Sequence, residues 1–206
     1  MADAETLGEV LALVPEVEAY RGKGSQPTAH DFALHTLGLA YRLKTRLPRS
    51  ERNPDLFPGQ DESPEDAEDV RKCLVMLMER FFERVRGARV RSRHAARLRS
   101  LAWQGMEEIT HVCRRPEHLA HALEVAADLR ASDEEREAAV DFLVAHWAGD
   151  EPDEATVELL RALECNPGSR RVLVGVMRAQ IALGLNDEIG AMFAVEDWED
   201  RNEGKG

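Results

Sequence analysis

The chain has 206 residues, enough for one large or two small domains with a hydrophobic core of their own. It carries 27 Lys and Arg against 39 Asp and Glu, and the formal charge of −12 argues against indiscriminate binding to nucleic acid or to an anionic membrane. Because the cysteines are widely spaced and no apolar run approaches the roughly 20 residues that span a bilayer, we expect no disulfide framework, no membrane partner and a cytoplasmic location.

The first part of the chain, residues 1–115, is predicted to be a helical region without a regular repeat. A first helix is expected over Glu5–Tyr20, where apolar residues recur every three to four positions. A second helix follows the capping residue Thr28 and is apolar almost all round. Prolines then interrupt residues 48–64 at short intervals, so this stretch is predicted to be a long loop.

Two longer amphipathic helices are predicted to complete this region. The third starts at the N-cap Ser63 with a proline and two acidic residues in its first turn, and it runs to about Val85. The fourth covers about residues 92–113. The dominance of Ala, Leu, Glu and Arg throughout the chain indicates an all-α fold.

Residues 116–198 are predicted to form a series of short helices separated by clear stop signals. Pro116 opens the first of them, and Ser132 with Glu135 forms a capping box for the next. Gly149 and the following proline end that helix, and an Asn-Pro-Gly turn separates the two after it. A last short helix follows Asn186. The acidic stretch from Glu196 to Gly206 is expected to be frayed apart from Trp198, and residues 199–206 are assigned as an acidic tail beyond the repeats.

Small and large apolar residues recur in this second part at the spacing of a repeated helical hairpin. From Ala155 to Pro167 the pattern is Ala-x3-Leu-x2-Ala-x4-Pro, which predicts a close approach of two helices at Ala155 and Ala162. Gly184 and Glu188 follow at the positions expected for the next turn. In a frame of about 34 residues, the segment resembles the tetratricopeptide repeat family. The resemblance implies a helical hairpin array, an α-solenoid, beside the less regular N-terminal bundle.

The resemblance also implies a concave groove that receives a helix or an extended peptide of a partner protein. Met177, Ile189 and Glu196 depart from the small residues of the family pattern, and the pattern by which some members hold a C-terminal carboxylate does not occur here. The groove-lining residues implied by the resemblance are Glu137, Asp141, Val144, Arg171, Val174 and Arg178.

Seven arginines around the predicted turn at Gly87 form the largest local charge excess of this acidic chain. With no acidic residue between them, they could bind an acidic protein segment, including the acidic tail, or nucleic-acid phosphates, or they could form a solvated surface. No aromatic residues alternate with them, as they would in a platform for single-stranded nucleic acid. The members of this Arg cluster are Arg84, Arg86, Arg89, Arg91, Arg93, Arg97 and Arg99.

Weaker patterns concern metal binding and catalysis. His111, Cys113, His118 and His121 fit no standard zinc module, and Glu108 with His111 lacks the second Glu-x-x-His motif of a di-iron site. No phosphate-binding loop or nucleophile elbow occurs. We therefore predict no metal, no cofactor and no enzymatic activity.

These patterns together predict a non-catalytic scaffold for protein interactions, such as an adaptor, an assembly subunit or a chaperone. Its partner would be a protein that offers a helix or an acidic segment to the groove and the Arg cluster. The alternative is an accessory protein that uses the Arg cluster on nucleic-acid phosphates.

Overall fold

The computed structural model describes residues 36–38, 40–48, 64–86, 93–111 and 113–202. Every regular element within these residues is an α-helix, so the all-α prediction is confirmed for this part of the chain. The chain divides into two compact units, Met1–Cys113 and Arg114–Gly206. The helix predicted over Glu5–Tyr20 and nearly all of the predicted proline loop lie outside the described residues.

The first unit contains two long helices packed on each other and a short helical segment. Helix α1 covers Pro64–Arg86 and helix α2 covers Arg93–Glu107, while residues 36–38 and 40–44 are also helical. Trp103 is 1% exposed and meets Phe82 edge to face, with 4.6 Å between the ring centroids. Further fully buried side chains of this core are Leu43, Leu47, Val70, Leu74, Leu77, Phe81 and Ile109.

The second unit consists of five helices: α3 (Pro116–Ala127), α4 (Asp133–His146), α5 (Glu154–Cys165), α6 (Arg170–Ala182) and α7 (Glu188–Asn202). Helix α4 packs on α3 and α6, and α5 packs on α3 and α6. Helix α6 also packs on α7. The fully buried core residues include Val140, Leu143, Leu160, Val172, Leu173 and Val176.

The starts of α4 to α7 follow from short polar side chains in the sequence. The hydroxyl of Ser132 accepts a hydrogen bond from the Glu135 backbone N–H at 3.2 Å, as the capping box predicts. Asp153 and Ser169 cap α5 and α6 in the same way. Asp187 caps α7, where its carboxylate accepts from the Gly190 backbone N–H at 2.7 Å.

The close helix approach predicted at Ala155 and Ala162 is wrong. Both alanines are exposed, and α5 instead buries Thr156, Leu160 and Leu163. Burying two leucine side chains removes much more apolar area from water than burying two methyl groups, so the helix faces its neighbours with the leucines. The packing face of α5 is thus displaced by one residue from the repeat pattern.

The buried side chain of Arg136 links its own helix α4 to the end of α3 and to the turn between α5 and α6. Its side chain is 1% exposed, and its Nε donates to the carbonyl of Ala126 at the end of α3, at 3.0 Å. Its Nη1 donates to the carbonyl of Pro167 at 2.7 Å. Gly168 next to it has φ +77°, and a Cβ there would lie 3.1 Å from Nη1. Burial lowers the pKa of Arg136, against the opposing influence of Asp133 and Asp128.

Candidate partner-binding surfaces

Four of the six predicted groove residues form one ion-pair cluster across α4 and α6. Glu137 of α4 is its centre, because its carboxylate accepts from Arg171 Nε at 2.5 Å and from Arg178 Nη2 at 2.8 Å. Arg178 also lies 3.6 Å from Asp141. Gly175 of α6 leaves room for this arrangement, since a Cβ there would lie 3.3 Å from Glu137 Cγ.

The charges of this α4–α6 cluster largely satisfy one another. Glu134 adds a second carboxylate to Arg171 at 3.3 Å, and the hydrogen bond that Arg171 donates to Glu137 raises the pKa of Arg171. Desolvation by burial raises the pKa of Asp141, and Arg178 only partly opposes it. The carboxylates of the cluster are therefore paired with arginines of the same cluster. The side chains of Arg171 and Arg178 are still 50% and 57% exposed.

The two remaining groove residues, Val144 and Val174, are half-buried. Val144 belongs to α4 and Val174 to α6, the two helices that carry the ion pairs. The structure thus brings the charged members of the predicted set together, but as pairs with one another.

A second surface, at the C-terminal end of the unit, exposes large apolar side chains. On α7, Ile189 is 63% exposed, Phe193 59% and Met192 53%. Their spacing of three and four residues places them on one face of the helix. Ile181 and Leu185, just before α7, are 36% and 38% exposed. Ala191 is buried, and Val195 and Trp198, four and seven residues later on the same side of α7, are half-buried, so Ile189, Met192 and Phe193 lie on the side away from this packing face.

The turn between α6 and α7 fixes the direction in which these side chains point. Gly184 has φ +69°, and its N–H bonds to the Ile181 carbonyl at 3.0 Å. The Leu185 N–H bonds to the Gln180 carbonyl at 2.8 Å, which completes a Schellman motif. The buried Gln180 side chain also donates to Glu164 at 2.9 Å and accepts from Asn186 at 3.1 Å. The turn that leads into α7 is therefore bonded to α6 directly and to α5 through Gln180.

Acidic residues continue the exposed face of α7 toward its C-terminal end. Glu196 and Asp200 follow Phe193 by three and seven residues, so they lie on the same side of the helix. We call the surface formed by these five residues the α7 face: Ile189, Met192, Phe193, Glu196 and Asp200. Among the described residues, neither carboxylate makes an ion pair. Glu199, seven residues after Met192, pairs with Arg170.

The sequence placed a frayed tail where the structure has the last turns of α7. Arg201 Nε donates to the Asp197 carbonyl at 2.9 Å, and Asn202 Nδ2 donates to the Trp198 carbonyl at 2.8 Å. These local bonds and the pair between Glu199 and Arg170 support the helix to its end. The spacing of the exposed apolar residues was readable in the sequence, but their exposure depends on which side of α7 meets α6.

The predicted Arg cluster is described only in part. Arg86 is exposed and lies 3.4 Å from Glu83, Arg97 is exposed and Arg99 is half-buried. Arg89 and Arg91, and the side chains of Arg84 and Arg93, lie outside the described residues.

The histidines singled out by the sequence are held by local packing. His118 is 7% exposed, and His121 Nδ1 lies 3.4 Å from the Glu124 carboxylate. In the first unit, Cys113 Sγ lies 3.7 Å from a Glu79 carboxylate oxygen. The described part of the chain contains no group of three or more His, Cys, Asp or Glu side chains placed to hold a metal ion.

One feature of the first unit has no counterpart in the sequence patterns. A cavity of about 200 Å³ lies between the segment around residues 37–44, α1 and α2. Lys44 and Glu108 form an ion pair at its wall. Its other lining residues are Leu37, Ala40, Tyr41, Leu74, Met78 and Gln104.

Comparison with protein-family models, with curated proteins and with solved structures finds no match for this chain. None of the helices within the described ranges combines the length and the apolar content that crossing a membrane requires.

Proposed function

We propose that this protein is a non-catalytic scaffold that binds a partner protein through its C-terminal helical unit. One observation carries the proposal: α7 leaves Ile189, Met192 and Phe193 exposed on one side, while Ala191, Val195 and Trp198 are buried or half-buried on the other. Single exposed apolar residues are ordinary on protein surfaces, but several on one helical face mark an interaction site.

The free energy that a partner would gain by covering these side chains supports the proposal. Full burial of an Ile, Met or Phe side chain is worth about 1.5 to 3 kcal/mol relative to leaving it exposed. These residues keep more than half of their surface in water, so most of that free energy is available to a partner that covers them. The locked turn at Gly184 holds the face in one orientation, which lowers the ordering cost of binding.

The α4–α6 cluster adds a charged surface to the same unit. Arg171 and Arg178 remain about half exposed, so an acidic segment of a partner could exchange places with Glu137 on their guanidinium groups. The predicted Arg cluster of the first unit would steer the same kind of segment. A cytoplasmic adaptor, assembly subunit or chaperone fits this combination of surfaces.

The experiment compares what co-purifies with the tagged full chain and with a surface variant. The variant Ile189→Gln/Phe193→Gln removes apolar area without touching a buried residue, and Leu129→Gln is the matched control because Leu129 is 61% exposed elsewhere in the unit. Native lysate is divided, one half is treated with nuclease, and bound proteins are quantified by mass spectrometry.

The proposal predicts a partner at near-equal amounts that survives nuclease, is lost with the double variant and is kept by the control. A partner retained equally by all three chains would contradict it. Loss of every partner with nuclease, together with protected nucleic-acid fragments, would favour the nucleic-acid alternative and the Arg cluster.

A further inference from the structure

We infer that the α7 face binds an amphipathic segment whose apolar residues lie next to lysines and arginines. This inference rests on the proposed function, and it names the chemistry of the partner. It is carried by the order of side chains along one helical face, where Ile189, Met192 and Phe193 are followed by Glu196 and Asp200.

The apolar part of the face supplies a seat for bulky side chains. Ile189, Met192 and Phe193 cover the first two turns of α7, and Ile181 and Leu185 lie exposed just before them. An apolar stripe at the spacing i, i+3, i+4 is what a second amphipathic helix packs against. Met192 has a flexible thioether, which adapts to the shape of an incoming residue.

The acidic part of the face selects the charge of the occupant. Glu196 and Asp200 are exposed and make no ion pair within the described residues, and Asp197 beside them is exposed and equally without one. The C-terminal end of a helix also carries partial negative charge from its unsatisfied carbonyls. Lysine or arginine on the partner would be attracted to this end, while acidic residues would be repelled.

A second copy of the chain is the less favourable occupant. In a parallel two-fold pairing, Glu196 and Asp200 would face their own counterparts. In an antiparallel pairing centred on Ala191, Glu196 would lie near Asp187 and Glu188 of the other copy. Like charges meet in both arrangements, in a chain whose formal net charge is already −12.

The test is a fluorescence-anisotropy titration of the full chain with three labelled synthetic helical peptides. The first has a leucine stripe with lysines at one end. The second replaces those lysines with glutamates, and the third keeps the lysines and replaces the leucines with serines. We expect the first peptide to bind at least about tenfold more tightly than either of the others, because it alone matches both parts of the face.

Two charge variants complete the test. Glu196→Lys/Asp200→Lys should reverse the order of the first two peptides, whereas the matched control Glu151→Lys/Glu158→Lys changes two exposed acids elsewhere in the unit and should leave the order unchanged. Lysine is favourable at a helix C-terminus, so the first variant is expected to keep its fold.

Each contrary result is informative. Equal affinity for the lysine and glutamate peptides would overturn the charge inference and leave the proposed function standing, since apolar binding would persist. Equal affinity for the leucine and serine peptides would show simple electrostatic adsorption and would also overturn it. A dimer in multi-angle light scattering that Ile189→Gln/Phe193→Gln abolishes would assign the face to a second copy. Binding of no peptide by a monomer would overturn the inference, and the co-purification experiment would decide separately on the scaffold.

Discussion

The α4–α6 cluster and the α7 face lie in the same helical unit, but they differ in whether their exposed side chains have partners within the chain. In the cluster, Glu137 accepts from Arg171 and Arg178, so charges of both signs meet within the chain. On the α7 face, Ile189 and Phe193 are left in water, and Glu196 and Asp200 beyond them make no ion pair with any residue that the structure describes.

The difference shows which surface residues are informative about function. Charges that pair internally need no external partner, and ion pairs of this kind contribute little stability when they are exposed. Large apolar side chains on one face of an ordered helix gain free energy when something covers them. The second surface is therefore the stronger candidate for a partner, although the first was the one implied by the repeat pattern.

The largest expected effect concerns Arg136 of α4, whose buried side chain donates hydrogen bonds to the end of α3 and to the turn before α6. Arg136→Ala should lower the free energy of unfolding by about 3 kcal/mol, since it removes two charged hydrogen bonds to backbone carbonyls and the packing of a buried side chain. Urea unfolding followed by far-UV circular dichroism measures it.

Arg130→Ala is the control for this change, because Arg130 is 92% exposed and pairs only at the surface with Asp128. It should change the free energy of unfolding by less than about 0.5 kcal/mol. Equal effects of the two substitutions would mean that the buried Arg136 side chain contributes no more to stability than an exposed arginine does.

Glu137→Gln probes the internal pairing of the cluster. The neutral amide keeps the shape but removes the charge that two arginines share, so we expect a loss of about 1 kcal/mol at low salt and a smaller loss at high salt. A double-mutant cycle with Arg178→Gln, followed by urea unfolding at two salt concentrations, measures the coupling.

Asp141→Asn is the contrasting substitution in the same cluster. Burial raises the pKa of Asp141, so its ionised form costs stability above the raised pKa, and the amide avoids this cost. Its free energy of unfolding at neutral pH should be equal to or higher than that of the unmodified chain. A loss as large as that of Glu137→Gln would show that both carboxylates are needed, and that the cluster is a single network.

The local structure of the second unit was largely predictable from the sequence, because helix starts and ends depend on near neighbours. Ser132 and Pro116 begin helices as expected, and Gly149, with φ +84°, lies just after α4. Helix orientation was not predictable, since it depends on which residues of distant segments compete for burial. The repeat pattern thus pointed to Ala155 and Ala162, whereas Thr156 and Leu163, each one residue later, are buried.

The candidate sites follow the same division. Glu137 and Arg178 were placed on groove-lining helices, but nothing in the sequence indicates that they bond to each other across α4 and α6. Arg136, one residue before Glu137, looks like any surface arginine until the carbonyls of Ala126 and Pro167 come within reach. Pairing partners far apart in the chain are decided by packing, which a linear pattern does not contain.

A smaller effect is expected at the end of α4, where His146 is buried. Its Nδ1 has no hydrogen-bond partner among the residues that the structure describes, and its ring meets Trp147 edge to face with 5.2 Å between the ring centroids. Burial lowers the pKa of His146 below its ordinary value of 6.5, and nearby Arg114 and His118 lower it further while Asp153 opposes them. The unfolded chain therefore takes up the proton first as the pH falls.

Stability should accordingly decrease as the pH falls below about 6.5 toward the lowered pKa, and His146 should make no pH-dependent contribution above that range. His146→Gln is expected to flatten this part of the profile of unfolding free energy against pH. A profile that His146→Gln does not alter would assign the acid sensitivity to other groups.

The smallest expected effect on stability is on the α7 face itself, and its small size distinguishes this face from the interior. Ile189→Gln/Phe193→Gln should change the free energy of unfolding by no more than about 0.5 kcal/mol, because both side chains are mostly in water and Gln favours a helix. On the same helix, Ala191→Gln should cost about 1 to 3 kcal/mol, since it forces a larger polar side chain into the contact with α6. Urea unfolding of both variants gives the comparison. If the double variant lost as much stability as Ala191→Gln, Ile189 and Phe193 would be serving the fold of their own chain, and the surface would no longer be available as a binding site.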